Sequence, residues 1–212
     1  MSLILNSFFT FLLCFQVSDG WILEKKTSNI QMYTKKDLGD TYDQVKVVAQ
    51  TKASISEVVA ALEDLKNQVN WVYSTEKVEM IESIDDGHFI YHYCMEMPFP
   101  VKNRDAIIQY KRHQDLDSKI VYTKSRTIRH RQNLSEDYER IKYFTTTYEV
   151  KALSKEMVEI VYILKADPGV NLPSWLVKLF STKGPYKSMV ALVDLIEIGT
   201  YENSIVEGVV NY

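Results

Sequence analysis

Residues 85–114 read DDGHFIYHYCMEMPFPVKNRDAIIQYKRHQ, and two runs inside this stretch alternate. Phe89, Tyr91, Tyr93 and Met95 share one parity, and Ala106, Ile108 and Tyr110 share another. Alternate side chains of a strand point to opposite faces, so each run is a strand with one apolar face. Asp85-Asp86-Gly87 supplies turn chemistry before the first run, and a proline-containing turn lies between the two. Further β segments flank them, near 77–84, 119–127, 140–152 and 157–166, the last with Val158, Ile160, Tyr162 and Leu164 on one face. Asp115 to Ser118, Asn133 to Asp137 and Ser154-Lys155 provide turns, so neighbouring strands are joined as antiparallel hairpins. No helical periodicity interrupts Lys77 to Ala166.

Upstream, Trp21 to Lys36 alternates weakly and Tyr42 to Thr51 alternates well, with Val45, Val47 and Ala49 on one face. Both read as strands. Ser54-Ile55-Ser56-Glu57 then matches a capping box, and Ile55, Val58, Val59, Leu62, Leu65 and Val69 follow at helical spacing. A helix is expected to about Asn70. Downstream, Pro168 and Gly169 end the sheet, and Pro173 opens a helix because a first turn does not need its missing N–H. That helix carries Trp175, Leu176, Leu179 and Phe180, then a break at Gly184-Pro185, then Met189, Leu192, Val193 and Ile196. The break predicts a kink. The expected fold is α+β: a long antiparallel sheet whose twisted inner face is covered by the late helix, leaving a concave space where an apolar ligand fits.

The segment Met97-Pro98-Phe99-Pro100-Val101-Lys102-Asn103-Arg104-Asp105 is similar to the signature of the START domain family, the family related to the steroidogenic acute regulatory protein. Trp71 after the first helix, Val78-Glu79 in the next strand and Leu172-Pro173-Ser174-Trp175 at the terminal helix agree in register. The resemblance runs from Trp21 to about Asn203. It implies the helix-grip fold, a curved antiparallel sheet wrapped around a long C-terminal helix, with a hydrophobic tunnel for one lipid that the protein binds and carries or presents. In sterol-binding members a carboxylate and an arginine commonly lie inside the tunnel; Tyr93 and Tyr110 stand at the matching places here, which argues against sterol specificity.

Strand parity then nominates a tunnel lining: Phe89, Tyr91, Tyr93 and Met95; Ala106, Ile108 and Tyr110; Ile160 and Tyr162; and Met189 and Val193 from the helix. A tyrosine wall offers apolar area plus one hydroxyl per ring, which suits a ligand with a small polar head. The same residues would equally build an ordinary core. Arg104 and Asp105 are successive strand residues and point to opposite faces, so each anchors something different, most simply the turn and sheet edge.

No cofactor, metal or catalytic residue is expected. His88, His92 and Cys94 share a face, but six residues of strand span about 20 Å, too far for one ion. His92 lies on the parity opposite Tyr93, away from the expected tunnel. A cyclase or dehydratase-like enzyme on the same fold, or a small-molecule sensor, is the alternative reading, and it needs acid or base groups facing the cavity. The cluster Lys124, Arg126, Arg129, His130 and Arg131 reads as a solvated surface or a place to meet a membrane transiently, rather than a nucleic-acid site. A net charge of -3 over 212 residues gives no general attraction to polyanions, and a monomer is expected. Trp175, Leu176, Phe180 and the Gly184-Pro185 break are expected to form a lid.

Residues 1–20 differ from the remaining domain, 21–212. Leu3 to Leu5 and Phe8 to Phe15 are apolar, and no charge occurs before Asp19. This reads as a secretory leader or as an apolar N-terminal helix packed on the domain. Cleavage would make the protein exported, periplasmic or secreted; retention would leave it cytoplasmic. Without Cys14, Cys94 is the only thiol, and no intramolecular disulfide is possible.

Overall fold

The two alternating runs of residues 85–114 form adjacent antiparallel strands, β5 (His88–Met95) and β6 (Asn103–Asp115), in which Phe89 faces Tyr110, Tyr91 faces Ile108 and Tyr93 faces Ala106. The apolar parities therefore meet across the pair and bury one face. The computed structural model describes residues 20–37, 43–130, 137–167 and 172–212. Around β5 and β6 lie β1 (Ile22–Lys26), β2 (Ile30–Lys35), β3 (Gln44–Thr51), β4 (Thr75–Asp85), β7 (Ile120–Thr127), β8 (Tyr138–Arg140), β9 (Tyr143–Ser154) and β10 (Met157–Asp167). The helices are α1 (Ile55–Glu63), α2 (Gln68–Trp71), α3 (Ser174–Lys178) and α4 (Gly184–Glu197). The strands make one sheet in the order β1-β2-β3-β10-β9-β7-β6-β5-β4, antiparallel throughout, with β8 added in parallel to the start of β6. It is an α+β helix-grip fold: a curved antiparallel sheet with the C-terminal helix on its inner face.

Several elements differ from the sequence expectation, each for a local reason. Trp21 to Lys36 holds two strands, because Thr27 exchanges hydrogen bonds with Ile30 and turns the chain between β1 and β2. The first helix has the expected capping box, with Ser54 Oγ accepting from Glu57 N and the Glu57 carboxylate accepting from Ser54 N. It stops at Glu63, where Asp64 leaves helical geometry, and a tight turn at Leu65–Asn67 leads into α2. The change of pitch rotates the face, so Val69 is exposed while Gln68 and Trp71 are buried. The expected strand near 140–152 is β9, and a short β8 precedes it, drawn to Asn103–Asp105 of β6. In the terminal helix the irregularity precedes Gly184-Pro185: residues Leu179–Lys183 form a widened turn in which Gly184 N donates to Leu179 O. That places Pro185 in the first turn of α4, where no donor is required.

Two apolar clusters result. The larger joins α1 and α4 to the β3–β10–β9 side of the sheet through Val45, Val47, Ile160, Met189, Leu192 and Val193. The smaller gathers Leu65, Phe89, Tyr91, Tyr93, Ala106, Ile108, Tyr110 and Ile141 over β5 and β6. Beyond α4, residues 198–212 form a strap without regular structure that crosses to the far end of β6 and β7. The apolar leader, Cys14, Arg131, Asn133 and Pro168-Gly169 lie outside the described residues.

Candidate functional site

Between the inner sheet face and the helices are two adjoining cavities. The inner one, about 100 Å³, is walled by Trp71, Tyr91, Tyr93, Ile108, Tyr110, Tyr148 and Tyr162, with Gln68, Thr146 and Ser188 as polar neighbours. The outer one, about 70 Å³, is walled by Val45, Met97, Arg104, Ile141, Ala166 and Val177, with Asp43 beside them. Met95, Phe144, Leu164 and Phe180 belong to both walls and form the partition. Three come from the sheet, while Phe180 comes from the widened turn of the terminal helix. Ser188 Oγ fastens that helix below the turn, accepting from Tyr73 N at 2.9 Å and donating to Gly184 O at 3.0 Å.

The inner cavity is neutral. None of its described lining residues is Asp, Glu, Lys, Arg, His or Cys. Burial raises the pKa of Tyr91, Tyr148 and Tyr162, and pushes that of Tyr93 up to about 12 although Thr75 donates to its hydroxyl at 3.1 Å. Tyr110 is raised by burial first and then by the nearby Glu63 carboxylate. All five rings therefore keep their protons near neutral pH and offer O–H donors. Tyr148 and Tyr162, opposite each other on β9 and β10, stack at 4.6 Å.

Of the nominated lining, the structure brings Tyr91, Tyr93, Met95, Ile108, Tyr110 and Tyr162 together on the inner cavity. Phe89, Ala106, Ile160, Met189 and Val193 sit behind it in the two clusters, Phe89 stacking on Tyr110 at 4.5 Å. Trp71, Phe144 and Tyr148 were missed. The signal for the last two was present, since Phe144, Thr146, Tyr148 and Val150 alternate within the segment read as a strand.

Arg104 and Asp105 do point to opposite faces. Arg104 is buried beside the outer cavity, donating to the Lys102 carbonyl and pairing with Glu139 at 3.2 Å. Asp105 is buried on the outer face, where Arg140 donates to both carboxylate oxygens at 2.8 and 2.7 Å and His92 Nε2 lies 2.8 Å away. Burial alone would raise its pKa; the hydrogen bonds from Arg140 and His92 outweigh this and lower it. Cys94, 3.5 Å from His92 Nε2, is a buried thiol whose pKa burial and the Asp105 charge push up to about 11. His88 turns to Gln109 at 3.0 Å, so it does not converge with His92 and Cys94, and the described residues contain no cluster suited to a metal. These groups all lie across the sheet from the cavities. Lys124 and Arg126 are exposed on that same outer face, Arg126 donating to Gln109.

Met97 and Val177 reach the outer cavity from the 96–102 turn and from α3. Two residues from each, Phe99 is 97% and Trp175 58% exposed, with Lys102 and Lys178, both exposed, three residues further along. Leu176, between Trp175 and Val177 on α3, is fully buried.

A family model described as START domain matches residues 15–193. The chain is 23% identical over 173 residues to the phosphatidylcholine transfer protein of Rattus norvegicus, covering 77% of this chain and 78% of that protein. Among solved structures it is similar to a STAR-related lipid transfer protein from Xanthomonas axonopodis, with TM-score 0.76, 21% identity, and 84% of this chain and 99% of that one covered. It is also similar to human STARD10, with TM-score 0.73, 18% identity, and 88% and 78% covered. These structural likenesses are likenesses of fold.

Proposed function

The chain belongs to the START domain family, and from that premise we propose that it binds a single hydrophobic or amphipathic lipid between sheet and C-terminal helix and carries or presents it. The observation that carries this reading is the pair of cavities, apolar and continuous but for a partition of four side chains. In the closed state their volumes are far below those of a drug-sized ligand pocket, roughly 300–1,000 Å³. Loading therefore requires the partition to move. Phe180 is its one member on a helix rather than on the sheet, so the segment 174–183 acts as the lid.

Phe99 and Trp175 extend the reading to a membrane surface. Two large exposed apolar rings flank the outer cavity on separate elements, each with a lysine nearby, the composition that an interfacial surface favours. A protein so equipped opens its lid where lipid is available. The reading is non-catalytic, because the described lining of the inner cavity holds no Asp, Glu, His, Lys or Cys to serve as acid or base, and Asp43 and Arg104 stand only at the outer cavity.

Native mass spectrometry of the purified full chain tests it. A co-purifying lipid, or uptake of one molecule per chain from dioleoyl phosphatidylcholine vesicles, is the expected result. A chain that takes up no lipid from any vesicle but binds a compact polar metabolite would replace this reading with the sensor or enzyme.

A further inference from the structure

The inner cavity carries two buried hydrogen-bond donors that no well-formed hydrogen bond among the described residues takes up. Among the described residues, Trp71 on α2 is 5% exposed and its Nε1–H has no partner; Tyr110 on β6 is 4% exposed and its hydroxyl makes no well-formed hydrogen bond, with the Glu63 carboxylate beside it. Both side chains line the same cavity. A buried donor without an acceptor is costly, and few survive in a native structure without a purpose. Neighbouring hydroxyls are already engaged in part: Tyr93 accepts from Thr75, and Ser188 bridges Tyr73 and Gly184. The wall thus offers these two donors to a ligand acceptor, and no cation among its described residues.

Charge narrows the ligand. A carboxylate or phosphate carried into this cavity would lose its hydration and find no positive side chain on the lining. An uncharged oxygen needs only a donor, and two stand ready. Resting on the lipid-binding reading, we infer that the inner cavity selects lipids whose deepest polar group is an uncharged acceptor, a hydroxyl or a carbonyl, recognised by Trp71 Nε1 and Tyr110 Oη. Such a lipid enters with this group leading. Any anionic portion stays toward the outer cavity, where Arg104 lies.

Three eighteen-carbon probes that share a chain and differ at its end test this: oleyl alcohol, oleate and 1-octadecene, bound to the full chain at pH 8 and followed by native mass spectrometry and tryptophan fluorescence. Oleyl alcohol is expected to bind about tenfold more tightly than octadecene, from one or two hydrogen bonds, and more tightly than oleate. Tyr110→Phe should cut the alcohol's advantage over octadecene about three- to tenfold, read as the ratio of the two affinities in the same variant. It should also leave the melting temperature unchanged or higher, since it removes an unpartnered hydroxyl. Trp71→Phe should reduce the same preference. Oleate binding as tightly as the alcohol overturns the inference, as does a Tyr110→Phe variant that melts lower with its selectivity intact, which would give the hydroxyl to Glu63 instead. If all three bind equally, the lipid reading stands and this one falls; if none binds, both fall.

Discussion

Asp105 keeps its charge at 1% exposure because Arg140 supplies two N–H groups and His92 sits on the same oxygen. Removing one member of such a buried pair leaves the others unpaired, which costs about 3 kcal/mol. Asp105→Asn should therefore lower the free energy of unfolding by about that amount in urea at pH 7, and should loosen β8, which this corner, its short ladder and the Arg104–Glu139 ion pair hold to β6. The sign with pH follows from the lowered pKa. The folded carboxyl ionises below its ordinary 3.8, so the stabilisation is complete above that value and is lost as pH falls through the folded pKa. Urea midpoints measured from pH 6 down to pH 3 should fall more steeply for the natural chain than for Asp105→Asn. The opposed directions of Arg104 and Asp105 were legible from strand parity alone. Their partners were not: Arg140 is 35 residues from Asp105, and no local pattern announces a pairing at that distance.

The terminal helix shows the same division at the level of an element. Gly184-Pro185 marks a discontinuity in the sequence, but its form depends on which carbonyl must do without a donor, and the chain resolves that by widening the turn before the proline. The widened turn carries Phe180 into the partition. Two substitutions there should act in opposite directions. Phe180→Ala removes the helix's share of the partition and, if the proposed lid gates access, should speed lipid exchange between vesicles several-fold, at a cost of about 1–2 kcal/mol for a side chain only partly buried. Gly184 has helical dihedrals, so alanine fits its backbone and strengthens the helix, while the new methyl meets the Tyr73 ring at 3.1 Å. Tyr73 packs on Phe180 at 5.9 Å, so Gly184→Ala should hold the lid shut and slow exchange. Equal exchange rates for the two variants would mean that the segment does not gate the cavity. The tyrosine wall was readable because a tunnel lining and a core obey the same alternation. That equivalence also explains why Met189 and Val193 were nominated: they have the right period, and the α4 face they occupy packs in the larger cluster, behind the cavity.

Across the whole molecule, β6 connects two unlike ends. Arg104 lies beside the outer cavity and Gln114 ten residues further along the strand, about 30 Å away. The far end is fastened by the C-terminal strap. Arg112 Nη1 donates to Glu207 O at 2.9 Å, Gln114 and Val210 exchange two bonds of 2.8 Å, Ser56 N donates to Asn211 Oδ1 at 2.9 Å, and Tyr212 donates to Leu116 O at 3.2 Å. Nothing in residues 198–212 has the period of a helix or strand, so sequence patterning ended at the helix and the strap stayed unread. Its bonds lie partly in solvent and are worth about 1 kcal/mol each or less, while Val206, Val209 and Tyr212 add apolar contact to the larger cluster. Ending the chain after Asn203 should therefore lower unfolding stability by about 4 kcal/mol, read as a lower urea midpoint. Vesicle-to-vesicle lipid exchange at a temperature where the shortened chain remains folded should be unchanged, because Phe180 and the exposed rings stand at the other end. A shortened chain of normal stability would show that the strap is not a fastening. One that exchanges lipid faster would place a second opening at the far end, beside Tyr110 and Arg112, and the single lid would no longer account for access.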